Sequence, residues 1–199
     1  MYFNPVYFGK KNLGVSKVSE SSIDTCTVGE RYLCNTMNAL LPGAVHFDVQ
    51  TLAQVLQNCE ASDALRCQLS QPHWTTLASF MHPFPLNKGQ VLIEQGARDA
   101  MLYFIESGAL SAHCEDENAK VHIARVGAGT VLGEGSFFSN QPRRATVYAS
   151  SPCKMWCLTP LRFKDLARHH ASIALELTLA MGAVMAKRLC IPPKRAAVT

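Results

Sequence analysis

From Pro83 to Thr159 apolar residues come in short runs broken by glycine and polar pairs: "GQVLIEQG", "AMLYFIESG", "ALSAHCED", "KVHIARVG", "GTVLGEG", "ATVYASS" and "CKMWCL". Gly89, Gly96, Gly108, Glu117-Asn118, Gly127 and Gly129 fall between them at short, fairly regular spacing. Many short strands with such punctuation predict an all-β sandwich or barrel. Within "CKMWCL", Cys153, Met155 and Cys157 share one face of a strand.

The pattern is helical on both sides. In "FDVQTLAQVLQNC", Phe47, Leu52, Val55 and Leu56 fall near one helical face and Asp48 is placed to cap it. "SDALRCQLS" is a second short helix. "SQPHWTTLASFM" is a third, with Ser70 as cap and Pro72 in its first turn. After the strands, Thr159 caps "PLRFKDLARHH", with Pro160 at its first position. "ASIALELTLAMGAVMAKRLC" is the longest helix and is apolar almost all round, so it must be buried on several sides. Pro192-Pro193 stops it. Residues 1–45 have little periodicity and form a poorly ordered or loosely docked lead. The expected organisation is therefore a segment 1–45, a helical lead 46–82, a domain 83–191 (strands 83–159, helices 160–191) and a tail 192–199.

Composition narrows the class without naming a function. Hydrophobic content of 48%, charged content of 17% and a net charge of +4 suit a globular chain and argue against a nucleic-acid glue or a strongly membrane-attracted surface. The N-terminus lacks the apolar core of a signal peptide, and Glu176 interrupts the most apolar segment, Ala171 to Ala186. The expected location is the cytoplasm, with no membrane partner. The eight cysteines then read as free thiols that pack as small hydrophobes. None of the seven histidines has a zinc-hydrolase spacing. His169-His170 end a helix, where a cation suits the dipole, and His113-Cys114 at a strand end are weaker candidates for haem or iron. No nucleophile–base pair or paired carboxylates stands out, so neither an enzyme nor a metal site is expected.

The chemistry concentrates in Gly133 to Val147, "GEGSFFSNQPRRATV". Gly133 and Gly135 can adopt positive φ, "SFF" fits a helical turn whose free N–H groups favour an anion, and "SNQP" turns the chain back. Arg143 follows at the start of the strand "RRATVYA". A guanidinium beside a ring of N–H donors suits a phosphate. Glu134 would repel that phosphate unless it accepts a hydrogen bond from a hydroxyl one sugar-width away. The residues alone leave two readings open: a Glu134–Arg143 ion pair closing a surface loop, or a cradle for a nucleotide.

Here the chain resembles the cyclic-nucleotide-binding domains of the catabolite activator family and of cyclic-AMP-dependent kinase regulatory subunits. Their phosphate cassette runs roughly F-G-E-x-A-L, four spacers, then P-R-x-A-x-V. Gly133-Glu134, Ser136-Phe137, Pro142-Arg143, Ala145 and Val147 match in register. "KGQVLIEQGARDAMLYFIESGALSAH" is similar to the family's early strands and "LTPLRFKDL" to its helix entry, so about 110 residues, Phe84 to Leu189, follow the pattern.

The resemblance implies a double-stranded β-helix (a jelly-roll-like fold) with an N-terminal helical lead and a long C-terminal helix. It implies a ligand site of Gly133, Glu134, Gly135, Ser136, Phe137, Pro142, Arg143, Arg144 and Ala145. In it Glu134 would hold the ribose 2′-hydroxyl, Arg143 the exocyclic phosphate oxygen, and the N–H groups of Ser136 and Arg144 the rest of the phosphate. Cyclic AMP is favoured over cyclic GMP. Three residues depart from the family: Leu132 for an aromatic residue, Gly135 for an apolar one, Arg144 for a small one.

"MGAVMAKRL" is similar to the activators' dimer helix and implies a homodimer through Ile173, Leu177, Met181, Val184, Met185 and Leu189. The same helix could instead pack back onto the strands. Nothing after Pro192-Pro193 resembles the activators' helix-turn-helix, so no sequence-specific DNA binding is expected of this chain alone, and the effector protein is left unnamed. The expected role is a cyclic-nucleotide sensor signalling through its last helix. The alternatives are a fold retained as an interaction scaffold and a haem or thiol redox sensor.

Overall fold

The computed structural model describes residues 46–115 and 121–190. The expectations for residues 1–45 (Cys26 and Cys34 among them), the Glu117-Asn118 turn, Pro192-Pro193 and the tail lie outside the described residues.

Among the described residues eight strands form two antiparallel sheets. The first has the order β1 (His82–Leu86), β8 (Cys153–Leu158), β3 (Leu102–Ser107), β6 (Val131–Leu132). The second has the order β2 (Val91–Ile93), β7 (Thr146–Ala149), β4 (Ala109–Glu115), β5 (Val121–Gly127). Their inner faces share one core of Ile93, Ile105, Leu110, Val147 and Met155, with Cys153 and Cys157 packed as small apolar groups. This is the jelly-roll-like, mainly β fold with flanking helices that the resemblance implied.

The two sheets differ in burial because the helices cover only one. Along β3, Tyr103 and Ile105 face the second sheet, whereas Leu102 and Phe104 belong to a second core with the helices. A strand buried on both faces reads as a continuous apolar run, as "LYFI" does. The second sheet leaves Val91, Tyr148, Ile123 and Val121 exposed on its outer face.

The helices of the second core are α1 (Val49–Asn58), α2 (Gln71–Ala78), α4 (Pro160–His169) and α5 (Ala171–Cys190); α3 (Glu134–Ser139) lies between β6 and β7. Asp48 caps α1 by accepting from Gln50 N at 3.0 Å, and Thr159 caps α4 by accepting from Arg162 N at 3.2 Å. Ser70 stands at the N-cap of α2 without a side-chain bond. At the end of α4, His169 Nδ1 lies 2.8 Å from the Asp165 carbonyl, as expected of a capping side chain. Near α1, Phe47 stacks edge-on against Trp156. Trp156 Nε1 in turn donates to the buried Glu106 at 2.8 Å.

Two expectations need correction. "SDALRCQLS" is not a helix: after a turn at Ser62-Asp63 the chain is extended, with Leu65, Cys67 and Leu69 buried and Arg66, Gln68 and Ser70 exposed. That alternation has the period of a strand rather than a helix. The last helix turns the other way from the dimer assignment. Ile173, Leu177, Met181 and Val184 are buried in the chain's own core, and Met185 is half-buried. Of the six residues assigned to a dimer seam only Leu189 is fully exposed. A helix apolar on every side offers no periodicity to say which face meets its own domain.

Candidate functional site

The stretch 133–147 folds as a turn, one short helix and a returning bend. Gly133 sits at φ +89°, a left-handed conformation that favours glycine, and its C=O accepts from Phe137 N at 3.0 Å to start α3. An added Cβ at Gly133 would stand 2.4 Å from the Met101 carbonyl oxygen. Gly135, by contrast, is helical, with no positive φ and open space around an added Cβ, so the expectation of positive φ holds for Gly133 alone. At the far end Asn140 is left-handed at φ 54° and returns the chain through Gln141 and Pro142. Arg143 and Arg144 lie in the bend before β7 rather than on the strand.

Arg143 is 3% exposed, and its guanidinium is held on three sides. Nε donates to Asp99 Oδ1 at 3.0 Å, Nη2 to the same carboxylate and to the Met101 carbonyl at 2.7 Å, and Nη1 to the Gly133 carbonyl at 3.2 Å. Four of the five N–H groups of the fork thus have protein acceptors, and one on Nη1 has none among the described residues. Reciprocal backbone bonds, Gly96 N to the Arg143 carbonyl and Arg143 N to the Ala97 carbonyl, both 2.8 Å, tie the bend to the loop that carries Asp99.

Glu134 does not pair with Arg143. Its Oε1 accepts from Arg188 Nη1 of α5 at 2.7 Å. Arg188 also donates through Nε to Asp63 Oδ2 at 2.9 Å and through Nη2 to the Val131 carbonyl at 2.9 Å. The loop-closing ion pair is therefore absent. The two charged residues are instead each engaged by a different partner, Asp99 and Arg188, neither of which sequence reasoning found. Asp99 follows Arg98 in a loop with no periodic signal, and Arg188 lies in the last turn of the longest helix outside any motif. The Glu134 and Asp63 carboxylates hold Arg188 even more firmly protonated than usual, against the opposing effect of burial.

The other assigned residues divide. Ser136 is buried, and Phe137 packs edge-on against Phe163 of α4. Phe138 is 40% exposed. Arg144 is exposed, and Pro142 and Ala145 are half-buried. Phe137 thus couples the cassette turn to α4, and Glu134 couples it to α5. His113 lies on the second sheet's outer face, 2.8 Å from Ser111 Oγ and edge-on to Tyr148, so its ring is engaged there. Among the described residues no group of three metal-ligating side chains occurs, and no helix is long and apolar enough to cross a membrane.

Comparison with known proteins agrees with this fold. Residues 83–170 match the family model of the cyclic nucleotide-binding domain. The chain is 30% identical over 105 residues to the cAMP-dependent protein kinase regulatory subunit of Blastocladiella emersonii, covering 52% of this chain and 26% of that protein. It is 28% identical over 124 residues to the cAMP-activated global transcriptional regulator CRP of Escherichia coli O6:H1, covering 61% of this chain and 56% of that one. Among solved structures, a cyclic nucleotide-binding domain from Methylobacillus flagellatus superposes with a TM-score of 0.64 at 19% identity, covering 71% of this chain and 78% of that one. The chain spans about a quarter of the kinase regulatory subunit and about half of the activator. With the cassette geometry, the jelly-roll sheets and the matched span in agreement, residues 83–170 of this chain belong to the cyclic nucleotide-binding domain family.

Proposed function

We propose that the chain is a regulatory sensor that binds a cyclic nucleotide, cyclic AMP in preference to cyclic GMP, and performs no catalysis of its own. The carrying observation is the bond from Arg143 Nη1 to the Gly133 carbonyl, which fixes the guanidinium against the turn that bears Glu134. A phosphate would sit against Arg143 and the N–H groups of Ser136 and Arg144. Its ribose 2′-hydroxyl would reach Glu134, within a site of Gly133, Gly135, Phe137, Pro142 and Ala145. The N–H groups of the first turn of α3 have no acceptor within the helix and are free for an anion. The preference for cyclic AMP rests on relatives named for it. Ligand binding would act on α4 and α5 through Phe137 and Glu134, and a ligand shifts such helices only by the difference in its affinity for the two arrangements.

The face of α5 turned from the core supports a homodimer as the route of output. Ser172, Leu175, Leu179, Gly182, Ala186 and Leu189 are exposed and alternate at spacings of three and four, the pattern of a two-stranded helical seam. Leu175 and Leu179 are 60% and 61% exposed, and open space surrounds Gly182, so the glycine is not demanded by the chain's own packing. A second copy approaching closely would explain it. This seam replaces the one centred on Ile173 and Leu177.

Isothermal titration of cyclic AMP and cyclic GMP into the purified chain and into Arg143→Ala tests the assignment. Saturable binding lost in the variant supports it; equal affinity of the two proteins removes it. One observation favours the second reading, a scaffold that binds no nucleotide: Asp99 and two carbonyls already take four of the five N–H groups of Arg143. Absence of heat with either nucleotide at millimolar concentration would select that reading.

A further inference from the structure

We propose that the outer face of the second sheet pairs with the same face of a second copy of this chain, in a weak two-fold contact separate from the α5 seam. This contact goes beyond the cyclic-nucleotide reading of the site and does not depend on it.

Strand register fixes what the face presents. Residues paired across antiparallel strands point to one side, and successive residues point to opposite sides. Leu110 and Ala112 of β4 turn into the core between the sheets, so Ser111, His113 and Glu115 turn outward. Pairing then sets Tyr148, Ser111 and Arg125 in one row across the strands. Thr146, His113 and Ile123 form the middle row, and Glu115 and Val121 the third. Val91, opposite Tyr148, extends the first row. Tyr148, Ile123, Val91 and Val121 are 37%, 40%, 44% and 47% exposed, so large apolar side chains cluster on an open face with a polar rim. The face is also held in shape. His113 bonds Ser111 Oγ and stands edge-on to Tyr148, which lowers the cost of ordering these side chains in a contact.

The charges say what covers it. The three rows hold one cation, Arg125, and one carboxylate, Glu115, both exposed and without a side-chain partner among the described residues. Two bonds between the Glu115 backbone and the Gln95 side chain fix the strand at that end. Arg125 pairs with Ser111, four residues from Glu115 along β4, so the two charges lie about 13 Å apart at opposite ends of the apolar cluster. A two-fold axis along the middle row exchanges the first row with the third. Each Arg125 then faces the Glu115 of the other copy, and the contact gains two ion pairs flanking Ile123 and His113. The offset of one strand between Arg125 and Glu115, about 4.8 Å, suits sheets packed at about 30° to one another. A partner of uniform charge would meet one like charge on this face, whereas a second copy meets none. Four short strands offer less than the ~800 Å² per partner of a standard interface, so the pairing is weak.

Sedimentation of the full chain carrying Leu179→Glu, which disables the α5 seam, tests the contact. The protein should be a monomer at low micromolar concentration and dimerise reversibly as concentration rises toward millimolar. Adding Arg125→Glu or Glu115→Arg should weaken that dimer about tenfold or more, because like charges then meet at both ends. An equimolar mixture of the two reversed proteins should restore it, since each end again joins opposite charges. No dimer at any concentration, a dimer indifferent to either reversal, or a mixture no better than its components overturns the proposal. If circular dichroism shows a reversed protein unfolded, Arg125→Ala and Glu115→Ala replace the reversals. Each should weaken the dimer and abolish its sensitivity to salt, and a dimer that keeps both overturns the proposal equally. No nucleotide enters these measurements, so their outcome is independent of the titrations that test cyclic-nucleotide binding.

Discussion

Arg143 is a buried cation whose partners are mostly protein, and that fixes what its removal should do. Arg143→Ala takes a donor from Asp99 and from the Met101 and Gly133 carbonyls, so the fold should weaken by about 3 kcal/mol, visible as a lower Tm. Loss of ligand affinity should be larger than that loss of stability explains, because the proposed phosphate contact is removed as well. The cysteines give an independent residue-scale check. Burial pushes the thiols of Cys67 and Cys157 up to about 12, whereas Cys190 is exposed. At pH 8 a thiol-specific reagent should label Cys190 within minutes and leave Cys67 and Cys157 unmodified until denaturant is added. Labelling of Cys157 in the native protein would contradict its place between the sheets.

At the scale of elements, the two glycines of the cassette should behave oppositely. Gly133→Ala forces a side chain into a left-handed backbone and against the Met101 carbonyl oxygen, and should cost about 1–3 kcal/mol. Gly135→Ala adds a methyl to a helix with open space and should be neutral or stabilise by up to about 1 kcal/mol. Thermal melts of the two variants decide the matter, and a Gly135→Ala protein destabilised as much as Gly133→Ala would show that the helical placement of Gly135 is wrong. Elements with one exposed face were legible in the sequence, because alternation or a cap reports that face. α1 and α4 announce themselves through Asp48 and Thr159, and the exposed alternate positions of β7 match its pattern of burial. The segment 62–70 is no helix because Leu65, Cys67 and Leu69 recur with a period of two, which turns them to one side of a non-helical chain.

For the whole molecule, the proposed homodimer rests on the orientation of α5. If the exposed seam pairs two copies, light scattering should report a dimer at micromolar concentration, and Leu179→Glu should yield a folded monomer, since Leu179 points away from the core. A dimer that persists in Leu179→Glu places the interface elsewhere. The same helix carries Arg188, so pairing of α5 and occupancy of the cassette would meet on one element.

The sequence alone carries the class of strands between helices, the cassette from Gly133 to Val147, and the residues proposed to meet a phosphate and a sugar. These are local facts, carried by glycines, caps and a short string in fixed register. It could not determine which groups face Arg143 and Glu134, because Asp99 and Arg188 lie 44 and 54 residues away in the chain and reach them only through folding. Nor could it say which side of α5 is buried, since a helix apolar on all sides has no preferred face until a second element packs against it. Folding decides the second by burying Ile173, Leu177 and Met181 against the chain's own core. That rotation turns Leu175 and Leu179 outward and leaves Arg188 at the edge, against Glu134.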